Sequence, residues 1–213
     1  MTLVQNDQPD ESLRPALEAL AERDRDIARA FASCGLPKQR SQEPGFAGLM
    51  RIIVAQQLSI HAARSILDRL SDGCGAFDPV RIAAMDDEAL RSCGLSRPKV
   101  RYIKALAEDV ASGRLDLYGL AAMADEDAIA HLTQVKGLGR WSAEIYLLFA
   151  LKRPDVWPAD DLAVRTAAQK LKGWAERPDK ATMAAFGDTL RPHRSAAARF
   201  LWHVYRHDGL PTP

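Results

Sequence analysis

Apolar residues recur three or four positions apart along almost the whole chain, and no stretch alternates strictly. Leu13, Leu17, Leu20 and Ile27 form one series, and Phe46, Leu49, Met50 and Ile53 a second. Val100, Ile103, Leu106 and Val110 form a third, and Trp141, Ile145 and Leu148 a fourth. That period puts each series on one face of a helix and leaves no candidate for a half-buried strand. Turn-forming clusters cut the pattern at Gly35-Leu36-Pro37, Pro44-Gly45, Gly73-Cys74-Gly75, Gly94, Gly113, Gly137-Leu138-Gly139 and Arg153-Pro154-Asp155. The expectation is an all-α protein of about ten helices joined by short connectors. Residues 1–11 are polar and contain Pro9, Asp7 and Asp10, so they are expected to be disordered.

With 213 residues, 47% of them apolar, the chain can bury a core without staples. Cys34, Cys74 and Cys93 stand far apart with no C-x-x-C pair, which argues against a disulfide framework or a zinc knuckle and for a reducing, cytoplasmic home. The longest apolar run, Ile145 to Leu151, falls well short of the ~18 residues that span a bilayer, and the N-terminus lacks a signal-peptide pattern. Neither a membrane nor an export route is expected.

The formal charge of +1 names no partner by itself. Its distribution is more informative: thirteen basic residues face seven acidic ones from Leu132 to Arg206, while the segment before Phe31 is net acidic. Such a gradient can create a local face that attracts phosphates, although mixed charge on helices is usually a solvated surface.

Leu132-Thr133-Gln134-Val135-Lys136-Gly137-Leu138-Gly139-Arg140-Trp141-Ser142-Ala143 places a G-L-G turn between two helices. Backbone N–H groups at the start of the second helix favour an anion, and Gly137 and Gly139 let a phosphate approach that backbone. Lys136 and Arg140 flank the turn with positive charge. The plain alternative is an ordinary connection between two core helices. About twenty residues on, Pro158-Ala159-Asp160-Asp161-Leu162-Ala163-Val164-Arg165 begins another helix. One aspartate suffices as its cap, and a helix N-terminus favours the negative charge of the second. From spacing alone, both serve as caps. In Ile52-Ile53-Val54-Ala55-Gln56-Gln57-Leu58-Ser59, helical steps from the apolar face land on Gln56 and Gln57. Either these amides are satisfied inside the core or the stripe runs out into a groove. Trp141, Trp157, Trp174 and Trp202 read as core anchors, Arg97-Pro98-Lys99-Val100-Arg101 as a solvated helix start, and the five histidines lack metal-ligand spacing.

Together, V-K-G-L-G-R-W-S-A, P-A-D-D-L-A-V-R, I-V-A-Q-Q-L-S and G-L-S-R-P-K resemble the helix-hairpin-helix glycosylase superfamily, and most closely its DNA-3-methyladenine glycosylase II branch in the compact, yeast-type form. The resemblance covers about residues 40–205. It implies a two-lobed helical fold with the active-site cleft between lobes: a six-helix barrel over 41–153 that ends in the hairpin, and a second lobe from 12–40 plus 154–213. It also implies hydrolytic release of alkylated purines such as 3-methyladenine and 7-methylguanine from double-stranded DNA by a monomeric base excision repair enzyme.

Carried over residue by residue, the resemblance makes Asp161 catalytic and Asp160 structural. Trp141, Ile145 and His193 line the base pocket, Gln57 or its neighbour Leu58 fills the space of the flipped base, and Lys136, Gly137, Gly139 and Arg140 hold phosphate. The backbone carbonyls of Thr133, Val135 and Leu138 would hold a structural Na+ or K+. Trp141 stands where lyase relatives carry a nucleophilic lysine, so no Schiff base is expected. No cysteine follows Cys93, so no iron–sulfur cluster is expected, and no cofactor is needed for the chemistry. A bacterial source would put the enzyme at the nucleoid and a eukaryotic one in the nucleus. The competing readings are a DNA-binding module without catalysis, or a glycosylase for deaminated or oxidised bases.

Overall fold

The computed structural model describes residues 4–75 and 77–207. Twelve α-helices and one two-stranded sheet are found among them. The chain divides into two compact units, one comprising Ser41–Leu151 with Met1–Val4, the other Gln5–Arg40 with Lys152–Pro213.

The first unit is built around α3 (Phe46–Ala55), whose residues Leu49, Met50, Ile53 and Val54 are fully buried. It packs against α4 (Ile60–Cys74), α7 (Arg97–Ala111) and α9 (Arg140–Phe149). The short helices α5 (Pro79–Ala84) and α6 (Asp87–Ser92) lean on α7, and α8 (Asp125–Thr133) pairs with α9. This unit holds seven α-helices among the described residues, where six were expected. From Ser142 to Phe149, α9 is buried on every side, as the apolar run that begins at Ile145 requires, with Ser142 and Glu144 buried as well.

The second unit gathers α1 (Arg14–Arg23), α2 (Arg25–Cys34), α10 (Leu162–Lys172), α11 (Lys180–Thr189) and α12 (Arg194–Arg206). α12 packs on α1, α2 and α10, and α10 also touches α2. Leu17, Leu20, Ile27, Leu171, Phe200 and Leu201 fill the space between them. Lys172 ties the two ends of the chain together, donating to both oxygens of Asp24 at 2.9 and 2.7 Å and to Asp26 at 2.9 Å.

The expected disorder of residues 1–11 is corrected from residue 4 onward; residues 1–3 lie outside the described residues. β1 (Val4–Pro9) pairs with β2 (Lys38–Ser41). The pair is fastened by the Lys38–Asp7 ion pair at 2.7 Å and by the Asp10 N–H on the Pro37 carbonyl. Asp10 itself is buried and ion-paired with Arg199. The sheet left no period-2 signal because β2 stays exposed along most of its length and buries no apolar face.

Candidate functional site

In the first unit, α8 and α9 are joined by the segment 134–139, in which the Leu138 N–H donates to the Val135 carbonyl at 3.1 Å. Gly137, the third residue of that turn, has φ +93°. A side chain there would meet strain twice, since a Cβ would lie 2.3 Å from Cγ of Tyr102. The space a Gly137 side chain would take is therefore filled by Tyr102, so this glycine is required by close packing and by its positive φ. Gly139 behaves differently. It caps α9 with φ −88°, and nothing lies within 4 Å of where its Cβ would be, so the first amides of α9 stand open on that side.

Arg140, expected to hold phosphate, is engaged by two carboxylates. Its Nη1 and Nη2 form a two-pronged pair with Glu126 at 2.8 and 2.6 Å, and its Nε donates to Glu144 at 2.8 Å. Glu144 lies in the buried part of α9, where an unpaired carboxylate would be costly, so the guanidinium serves as its counter-charge. The Glu126 hydrogen bond, helped by Glu144 and opposed by partial burial, raises the Arg140 pKa further above its ordinary value. Lys136 and Arg140 are both exposed on the flanks of the hairpin, Arg140 with carboxylate partners.

Opposite the hairpin, α3 ends one residue before Gln56, so the helical extrapolation onto Gln56 and Gln57 fails. Gln56 has φ −54° and ψ 129°, Gln57 has φ +57°, and the Leu58 N–H returns to the Ala55 carbonyl at 3.3 Å. This is a type II β-turn with glutamine where glycine is the usual residue. The Gln56 amide turns inward, donating to the Gly137 carbonyl at 3.0 Å and to Ser142 Oγ at 3.1 Å. Gln57 and Leu58 point to solvent, with Ile60 53% exposed beside them. Lys99, expected on a solvated helix start, reaches back instead and donates to the carbonyls of Val54 and Gln56 at 2.6 and 2.7 Å. Burial pulls its pKa down.

Trp141 is half-buried on the first turn of α9. Ile145, one turn on, has no exposed surface and lies in the core in this conformation, so its expected place in the wall of a pocket is corrected. The carbonyls of Thr133, Val135 and Leu138 are hard, neutral donors of the kind that suit Na+ or K+. Val135 keeps a second lone pair after accepting the Leu138 N–H, so these residues fit such an ion. No group of three or more His, Cys, Asp or Glu residues suited to a metal occurs among the described residues.

In the second unit, Asp161 is the N-cap of α10. Its Oδ1 accepts the N–H groups of Ala163 and Val164, both at 2.9 Å, and the indole N–H of Trp202 at 3.0 Å. The double-cap reading is corrected, because Asp160 caps nothing and sits exposed in an ion pair with Lys180 at 3.0 Å. Asp161 does the capping and is also the candidate catalytic carboxylate; the cap and the indole fix its orientation. Trp202 was legible only as a core anchor, although a buried indole N–H needs an acceptor and that need was the available signal. His193 is half-buried at the N-cap position of α12.

One unit thus carries a helical hairpin with an open N-terminal turn, and the other an oriented aspartate at a helix start. Residues 50–192 match the HhH-GPD superfamily base excision DNA repair protein family, and the chain belongs to that family. Among particular relatives, the DNA-3-methyladenine glycosylase 1 of Schizosaccharomyces pombe is 38% identical over 158 residues, which are 72% of this chain and 69% of the relative. The alkylbase DNA glycosidase-like protein mag2 of the same organism is 28% identical over 84% of this chain and 85% of its own length. Of solved structures, the Schizosaccharomyces pombe 3-methyladenine DNA glycosylase in complex with abasic DNA superposes with a TM-score of 0.79 at 33% identity, covering 88% of this chain and 95% of that one. The DNA-3-methyladenine glycosidase of Bacillus halodurans gives 0.80 at 30% identity, covering 97% and 93%. No helix among the described residues is long and apolar enough to cross a membrane.

Proposed function

We propose that this protein is a monofunctional DNA glycosylase that releases alkylated purines from double-stranded DNA. The observation that carries the reading is the Asp161 carboxylate, oriented by two backbone amides and the Trp202 indole in a chain of a base excision repair family. The open N-terminal turn of α9 at Gly139, with Lys136 nearby in sequence, takes a phosphate of the duplex. A monovalent cation on the Thr133, Val135 and Leu138 carbonyls would add positive charge at that phosphate. The damaged nucleotide leaves the stack, because its glycosidic bond is out of reach inside the duplex, and Gln57 or Leu58 occupies the gap.

An N-alkylated purine already carries positive charge. When the bond from the sugar C1′ to the purine nitrogen breaks, the electron pair neutralises the base and the positive charge appears on the sugar. Asp161 opposes that charge and accepts the proton of the water that adds to C1′. The half-buried Trp141 offers an aromatic face of the kind that favours a cationic base. With tryptophan at 141, the reaction ends at hydrolysis and no imine forms.

The test is base release from duplexes carrying 3-methyladenine, 7-methylguanine, 1,N6-ethenoadenine or hypoxanthine. Asp161→Asn should bind duplex as the wild type does, because asparagine keeps the cap, and should lose release by at least about a hundredfold. An active Asp161→Asn protein, or no release by the wild type from any of the four, refutes the proposal.

A further inference from the structure

Gln56 is a half-buried polar residue just beyond the end of α3 that the reaction does not use. Its side chain reaches out of the type II turn that carries Gln57 and Leu58 and binds the hairpin at two points, the Gly137 carbonyl and Ser142 Oγ. Its own carbonyl is held by Lys99, which at the same time takes the carbonyl of Val54 near the end of α3. The Leu58 N–H closes the turn onto Ala55, and Ser59 Oγ accepts the Ala62 N–H to start α4. Every residue from 55 to 59 except Gln57 is thus tied through backbone or side chain. An ammonium that burial disfavours is retained where two mutually repelling carbonyl oxygens, those of Val54 and Gln56, come close together.

We infer that Gln56 and Lys99 are positioning residues that lock the Gln57–Leu58 turn to the helix-hairpin-helix, so that phosphate capture and insertion into the base step happen in one register. The inference rests on the glycosylase reading. It assigns the amide a purpose that core packing would not: an apolar side chain of equal size could fill the same space without fixing the turn against Gly137. Without the lock, the hairpin still grips the backbone of any duplex, but the turn no longer stands at a set height above the step to be opened. The lock therefore distinguishes a duplex with a gap to fill from one without.

The experiment compares Gln56→Leu and Lys99→Met with the wild type, measuring affinity for an undamaged duplex and for the same duplex with one tetrahydrofuran abasic analogue. A 2-aminopurine beside the analogue reports insertion, and a melting curve confirms folding. The wild type should prefer the abasic duplex and change the 2-aminopurine signal. Gln56→Leu, short of two hydrogen bonds, should lose about tenfold of that preference and most of the signal change, with undamaged-duplex affinity within about twofold. Lys99→Met should do the same, and Lys99→Arg should restore part of it. A folded Gln56→Leu protein that keeps the preference, or that loses both affinities alike, overturns the lock alone. A wild type with no preference for the abasic duplex overturns the glycosylase reading and the lock together.

Discussion

Gln57 occupies a backbone conformation that an L side chain adopts at a cost. Its φ of +57° falls in the left-handed region, at the third residue of a type II turn, and its side chain is exposed. A left-handed residue with a Cβ costs about 1–2 kcal/mol relative to a right-handed one. Glycine avoids that cost but loses more freedom on folding, by about 0.4–1 kcal/mol. Gln57→Gly should therefore be more stable than Gln57→Ala by about 1 kcal/mol, which in a chain of this length raises the melting temperature by about 2–4 °C. If Gln57 is the inserted residue of the proposed reaction, both variants lack its amide and should release 7-methylguanine at least about tenfold more slowly under single-turnover conditions, the counterpart of ~1.4 kcal/mol of lost support for the flipped state. A Gln57→Gly protein that is more stable and less active than the wild type would show strain kept for function. Equal stability of the Gly and Ala variants refutes the strain. Full release by both, with loss in Leu58→Ala, moves the inserted side chain one residue along.

The two glycines of the hairpin should separate cleanly. Gly137→Ala forces a methyl into Tyr102 at a positive φ and should cost more than about 2 kcal/mol by denaturant titration, whereas Gly139→Ala should leave stability near wild type and weaken duplex binding by crowding the phosphate. For acid sensitivity, Lys172 holds the Asp26 pKa below its ordinary 3.8, against opposing burial and with help from Arg29. Burial pulls Lys172 down, but Asp24 and Asp26 outweigh it and leave its pKa above the ordinary 10.5. The depressed carboxylate contributes stability above about pH 4 that is lost as pH falls through its folded pKa, and the raised ammonium contributes below about pH 10.5. Lys172→Met should thus be less stable than wild type at pH 7, and urea midpoints should show that gap closing as pH falls below the ordinary carboxylate value of 3.8. A gap independent of pH refutes the assignment.

Much of the architecture was legible in local sequence because a helix announces its buried face within a few residues. The series Leu49, Met50, Ile53 and Val100, Ile103, Leu106 lie in the core as their spacing implies. The start of α10 was legible from Pro158 and the two aspartates. What sequence left hidden depends on partners far along the chain. Glu144 is buried and pairs with Arg140 at the surface, while Lys99 folds back on carbonyls 43 and 45 positions earlier. Trp202 meets Asp161 across 41 positions. β1 is polar and its partner strand lies mostly exposed, so its order rests on pairing and on fixed ends such as Asp10, which no local pattern announces. The end of α3 at Ala55 was missed because glutamine in the left-handed region carries no composition signal, unlike glycine or asparagine.

The pairing of Lys172 with Asp24 joins positions 148 apart, and the unit it closes is made from the two ends of the chain. During synthesis every residue of 41–151 emerges before α10 does, so α1 and α2 must wait with Leu17, Leu20 and Ile27 unsheltered. Closing so long a loop adds little in itself, since each doubling of length costs only about 0.6 kcal/mol, and prior folding of 41–151 shortens the free segment further. The order of assembly is thereby set by connectivity: the hairpin unit completes first, and the carboxylate at residue 161 gains its indole partner only when the final helix arrives.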